Sequence, residues 1–173
     1  MPERHVIFSH GQAGEPWSRK ISGLAEIARA EGYSVDSLDY RGIDAPLERV
    51  AKLVAYCQKL PGELVLAGSS LGGYVAVAAA SLLHARGLFL LAPALLMEGL
   101  PALRDTAVDC PATILHGWRD TVVPPEHSVE FARRYRATLH LIDSDHRMYD
   151  QLQTVNFLFE HFLIATDMRL GLR

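Results

Sequence analysis

Three residues of this sequence, Ser70, Asp120 and His146, have the types and chain order needed to activate a hydroxyl for attack on a carbonyl carbon. A serine hydroxyl is a poor nucleophile until a base takes its proton, and an imidazole base needs an acid to orient it. Ser70 is central in Gly68-Ser69-Ser70-Leu71-Gly72, a G-x-S-x-G pentapeptide between an apolar run and a stretch of small residues. Glycines two before and two after the serine let a strand turn into a helix so sharply that the serine backbone is strained. Ser70 then stands at a helix start, where the Leu71 N–H can meet a developing oxyanion. The loop His10 to Pro16 offers a second amide donor, Gln12 first and Gly11 second, with Gly11 also against the substrate. His146 closes Asp143-Ser144-Asp145-His146, and Asp120 closes His116-Gly117-Trp118-Arg119-Asp120.

Each residue has a plainer role open to it. The pentapeptide also suits a Gly-rich strand-to-helix turn capped by a serine, or a phosphate-binding turn. A P-loop would need Gly-Lys-Ser/Thr after four spacer residues, and no lysine is there. A loop histidine is ordinarily a solvated surface group, and Asp120 before Thr121 can stabilise a turn. Asp143 and Asp145 compete with Asp120 as the orienting acid, although they adjoin His146 rather than arrive from another strand. His10 reads as a brace for its loop and His116 as a structural strand end.

Apolar runs over His5–Ser9, Tyr33–Leu38, Glu63–Ala67, Leu88–Leu91, Ala112–Leu115 and Thr138–Ile142 read as six strands. Trp17, Ile21, Leu24 and Ala28 mark a first helix that Gly32 stops, and Leu47, Val50 and Val54 a second before Pro61-Gly62. A third helix runs from Leu71 to Leu83, a fourth follows Pro125, and Leu152, Val155, Phe159 and Phe162 give the last its apolar face. The tail from Thr166 reads as frayed. Strands alternating with helices imply an α/β, three-layer, doubly wound parallel sheet in one domain, residues 1–173. In such a sheet the carboxyl ends of the strands share one rim, where Ser70, Asp120 and His146 each follow a different strand.

Ser9-His10-Gly11-Gln12, Gly68-Ser69-Ser70-Leu71-Gly72-Gly73, His116-Gly117-Trp118-Arg119-Asp120 and Asp145-His146 together resemble the α/β-hydrolase superfamily, in particular its small uncapped esterase-like members. The resemblance implies strand order 2-1-3-4-5-6, without the family's first two strands. It maps Ser70, Asp120 and His146 onto catalytic positions, and Gln12 and Leu71 onto oxyanion donors. Family lids are inserted between the fourth and fifth of these strands. Ala92 to Pro111 has room for only a short helix or irregular loop, too little for a folded cap. Leu95 and Leu96 from this segment are expected to line the substrate pocket or else to cover the sheet.

The implied reaction is hydrolysis of a small carboxylic ester or thioester through an acyl-enzyme on Ser70. A peptidase or amidase would use the same residues, and a non-catalytic binding protein the same fold. No cofactor or metal is called for. A formal charge of -3 offers no field for nucleic acid or an anionic membrane. The longest apolar stretch, Leu88 to Met97, is too short to span a bilayer and contains Pro93. Cys57 and Cys110 are read as free thiols, and the cytoplasm is the expected compartment.

Overall fold

The computed structural model describes residues 3–103 and 108–172. Six strands, β1 (Arg4–Ser9), β2 (Ser34–Leu38), β3 (Glu63–Ser69), β4 (Gly87–Leu91), β5 (Ala112–Gly117) and β6 (Thr138–Ile142), form one sheet in the order β2-β1-β3-β4-β5-β6. Every pairing is parallel. The helices are α1 (Arg19–Ala30), α2 (Pro46–Cys57), α3 (Leu71–Ala80), α4 (Pro125–Tyr135) and α5 (Leu152–Arg169). The three-layer, doubly wound α/β-hydrolase architecture inferred from the sequence is the one observed.

The period-2 alternation of a strand divides the core into two. Ile7, Leu64, Leu66, Leu88, Leu90 and Ile114 face α2, α3 and α4, through Leu53, Val75 and Phe131 among others. Val6, Phe8, Val65, Phe89, Leu91 and Leu115 face α1 and α5, through Leu24, Ala28, Phe159 and Leu163. Phe159 meets Phe89 edge-on at 4.8 Å between ring centroids, a favoured aromatic geometry. The direction of sheet growth reverses at β1, so the loops after β1 and β3 flank a crevice at the carboxyl rim.

Several sequence-based boundaries shift. Trp17 lies outside α1, is 44% exposed and precedes the cap residue Ser18, whose Oγ accepts from Ile21 N–H. Leu47 is exposed on α2, while Arg49 of the same helix is buried. The third helix ends at Ala80 rather than Leu83, because His84 takes a left-handed conformation (φ 50°) and the chain turns. The tail is not frayed: α5 continues to Arg169, with Thr166 and Asp167 buried. Asp167 accepts from Arg4 Nη1 and from the Tyr33 hydroxyl, each at 2.6 Å, joining β1, β2's approach and α5. Between β4 and β5 the described residues contain no helix, and residues 104–107 of that connection lie outside the described part.

Candidate active site

At the end of β3 the chain reverses into α3 through Ser70, which has φ 54° and ψ −120°. A non-glycine residue holds such a conformation only where its surroundings impose it. The imposition is visible in the glycines. A Cβ on Gly72 would lie 1.9 Å from the Ser9 carbonyl oxygen, and one on Gly68 would lie 2.2 Å from that of Gly72. Both are closer than any side chain permits, so β1, β3 and α3 meet backbone to backbone. Gly11 packs on the serine itself, its Cβ position 3.2 Å from Ser70 Cβ.

The amides of Gln12 and Leu71 are set by a shared device. The Gly11 carbonyl accepts from His10 Nδ1 (2.8 Å), Gly14 N (3.2 Å) and Arg49 Nη1 (3.3 Å). The Ser70 carbonyl accepts from Gly73 N (2.9 Å), Ala94 N (3.0 Å) and Tyr74 N (3.4 Å). A trans peptide is planar, with N–H opposite C=O. Three donors on each carbonyl therefore aim the Gln12 and Leu71 N–H groups the opposite way. Neither amide has a hydrogen-bond partner among the described residues. His10 is locked in one tautomer, since its Nε2 accepts from Tyr40 N (2.8 Å) while its Nδ1–H serves the Gly11 carbonyl. Burial above all lowers its pKa. It braces the loop, as the sequence suggests.

Asp120 uses both carboxylate oxygens fully. Oδ1 accepts from the backbone N–H groups of Val122 and Val123, each at 2.8 Å. Oδ2 accepts from His146 Nδ1 at 2.6 Å and from His116 Nε2 at 3.0 Å. Burial alone would raise the Asp120 pKa, but the bonds from His146, Val123 and Val122 outweigh it and hold the group below the usual carboxylate value. Asp143 turns instead to Arg119 Nε (2.6 Å), and Asp145 accepts from the backbone N–H of Arg147 and Met148. Of the three candidate acids only Asp120 bonds the His146 ring.

His116 was unreadable from sequence beyond a strand end. It is fully buried, and its Nε2 also reaches the Val123 carbonyl at 3.0 Å. Two acceptors on one nitrogen place the proton there, so Nδ1 accepts from Ser128 Oγ at 2.7 Å. Burial first, and more weakly the charge of His146, lower the His116 pKa against the opposing pull of Val123 and Asp120. A neutral imidazole thus shares the Asp120 Oδ2 oxygen with His146 and fixes its position.

Ser70 and His146 line one cavity of about 690 Å³, with Gly11, Gln12, Lys20 and Arg147. Among the described residues no hydrogen bond joins Ser70 Oγ to the His146 ring, a looseness usual before substrate arrives. Leu95 and Leu96 do not reach this cavity. They line a second one of about 370 Å³, with Phe131 and Tyr135 of α4. Leu95 is buried against the sheet and Leu96 is part of the surface. Arg49 and Lys20 were invisible to sequence reasoning because a helical pattern assigns charged residues to the solvent face. Among the described residues no group of three His, Cys, Asp or Glu side chains is placed to hold a metal ion. No helix there is long and apolar enough to cross a membrane.

The sequence model described as "Alpha/beta hydrolase family" matches residues 6–167. No curated protein matches the chain. A solved hydrolase of the alpha/beta superfamily from Xanthomonas campestris pv. campestris is 31% identical, with a TM-score of 0.85 over 93% of this chain and 98% of that one. Est1E from Butyrivibrio proteoclasticus shares the fold at 22% identity and a TM-score of 0.80, over 95% of this chain and 88% of its own. An a/b serine hydrolase without lid, also from Xanthomonas campestris, does so at 21% identity and a TM-score of 0.69, over 95% and 82%.

Proposed function

This chain belongs to the alpha/beta hydrolase family, and within it we propose a serine hydrolase that cleaves a small carboxylic ester or thioester through an acyl-enzyme on Ser70. The observation that carries the reading is the 2.6 Å bond from His146 Nδ1–H to Asp120, on a ring that shares its cavity with Ser70. With Nδ1 bound in this way, Nε2 is left unprotonated and able to take the Ser70 proton as Oγ attacks the carbonyl carbon. Asp120 holds the ring and favours the imidazolium that forms. The Gln12 and Leu71 N–H groups meet the oxyanion of the tetrahedral intermediate. Its collapse breaks the ester bond, and Nε2–H protonates the departing alcohol or thiol. Water then repeats the cycle on the acyl-serine and releases the acid.

Substrate size follows from the walls. The cavity is bordered by the exposed residues Glu15, Arg41, Arg147 and Tyr149 and has few aliphatic side chains, Ile21 and Val122 among them. Each buried methylene contributes about 0.8 kcal/mol, so a polar cleft gains little from a long acyl chain. Acetate and butyrate esters are the expected substrates, and activity should not climb through decanoate.

The test is fluorophosphonate labelling together with a panel of short esters, thioesters and aminoacyl amides. Native protein should label and hydrolyse members of the panel, while Ser70→Ala should do neither and keep its melting temperature within a few degrees. Labelling that survives in Ser70→Ala would overturn the assignment, and a preference for the amides would replace esterase with amidase.

A further inference from the structure

Lys20 lies in the first turn of α1, yet only 7% of it is exposed. Its ammonium carries three N–H groups, of which one donates to the Arg147 carbonyl at 3.2 Å. Among the described residues it has no second acceptor, and no carboxylate lies within ion-pairing distance. Such a group is costly to remove from bulk water. It persists where cavity water or a ligand provides the missing acceptors, and Lys20 lines the Ser70 cavity.

The charged side chains that line the cavity with Lys20 are mostly of the same sign. Arg41 and Arg147 also line the cavity, and Glu15 is the one carboxylate among its walls. Arg41 is matched by Asp39, through Nη2 at 2.6 Å and Nε at 2.9 Å. Arg147 is exposed, with no side-chain partner among the described residues. Asp145 and Asp120 act on Lys20 from further away. Both are already committed, to backbone amides and to the two imidazoles. The N-terminus of α1 begins at Ser18 on the same wall and has no acidic residue in its first turn.

We propose that this wall is a carboxylate-binding subsite, with the Lys20 ammonium as its buried anchor and Arg147 at its mouth. The preferred substrate is then an ester or thioester that carries a carboxylate a few bonds from the reacting carbonyl. The subsite rests on the reading of Ser70 as nucleophile, and it goes further by naming the charge of the substrate.

Two matched pairs of probes locate that charge. Monomethyl succinate against methyl butanoate places it on the acyl side, and 4-acetoxybenzoate against phenyl acetate on the leaving group. In one of the two pairs native protein should favour the anion in kcat/KM. Lys20→Met should lower the anion-to-neutral ratio about tenfold or more, chiefly through KM, as loss of a charge-assisted hydrogen bond does. Lys20→Arg should restore most of the ratio. If Lys20 merely propped the loop of Arg147, both esters would fall together and the ratio would stay, which overturns the proposal. So does a native protein that hydrolyses both pairs without regard to charge. Calorimetric titration of Ser70→Ala with monomethyl succinate separates this failure from that of the hydrolase reading. Binding that disappears in Ser70→Ala/Lys20→Met upholds the subsite even if no ester is turned over.

Discussion

Replacing Lys20 with methionine should stabilise the fold while it impairs substrate selection. The native environment lowers the Lys20 pKa from its ordinary 10.5 to about 8, mainly by burial, with Asp145 and Asp120 resisting. Below about pH 8 both the folded and the unfolded chain hold the proton, and the folded state bears the whole cost of the buried charge. Between about 8 and 10.5 the unfolded chain binds more protons than the native one, so stability rises with pH. Above 10.5 neither form is charged and the cost is gone. At about 1.36 kcal/mol for each pH unit, that cost is about 3 kcal/mol. Methionine has a similar length and no charge, but it forfeits the bond to the Arg147 carbonyl, worth about 1 kcal/mol. Lys20→Met should therefore be about 2 kcal/mol more stable at pH 7.5, and its advantage should shrink by about 2 kcal/mol at pH 9.5. Urea unfolding of both proteins at the two pH values measures this directly. Cys57, pushed up to about 12, and Cys110, pushed up to about 11, are also held back by burial, but they are common to both proteins and cancel in the difference. A methionine variant less stable than native at pH 7.5, or two pH profiles that run parallel, would refute the reasoning.

Four further outcomes follow from the hydrogen bonds. Asp120→Asn should lower kcat by on the order of 10³ or more, because an amide cannot accept four N–H bonds and the His146 tautomer is lost. Asp145→Asn should stay within about threefold, since asparagine still accepts from Arg147 N and Met148 N; equal losses in steady-state assays would mean that Asp120 is not the orienting acid. Arg49→Met should reduce kcat up to about tenfold with little change in KM, by removing one of the three donors that fix the Gly11 carbonyl and with it the Gln12 amide, and an unaltered kcat would show that His10 and Gly14 hold the loop without Arg49. Asp167→Ala should cost about 3–5 kcal/mol in chemical denaturation, because it takes the carboxylate from the guanidinium of Arg4 and leaves the Tyr33 hydroxyl without its acceptor, and a loss under 1 kcal/mol would reduce the junction to a surface pair.

The shared position of Ser70, Asp120 and His146 was legible because each stands just beyond an apolar strand, and a parallel sheet gathers such positions at one rim whatever their separation in the chain. The strand order came from the resemblance, which the five pairings bear out. What escaped were the polar and charged groups of the interior. Arg49, Lys20, His116 and Asp167 are all buried, and hydropathy assigns every one of them to water. Their neighbours show why no local pattern exposes them. Arg49 bonds Gly11, 38 residues away, and Arg4 bonds Asp167, 163 residues away. Trp17 and Leu47 fail in the opposite sense, being apolar residues at helical spacing that the fold leaves outside. Leu95 and Leu96 could be placed near the rim by sequence, but the side of the wall they face depends on their packing against α4.

The junction of Arg4, Tyr33 and Asp167 also bears on how the molecule is made. Ribosomal synthesis delivers β1 long before α5, so Val6, Phe8, Val65 and Phe89 emerge well ahead of one of the two helices that cover them. Over that interval one side of the growing sheet has only α1 over it and keeps apolar surface exposed, the kind of species that chaperones recognise and that aggregates when translation outruns folding. Arg4 waits as well, its guanidinium without the carboxylate that will hold it. A nascent chain stalled near residue 150 should therefore be sensitive to protease and should bind hydrophobic dyes. Synthesis and release of α5 would then close the core and seat the ion pair of Arg4 with Asp167 in a single event.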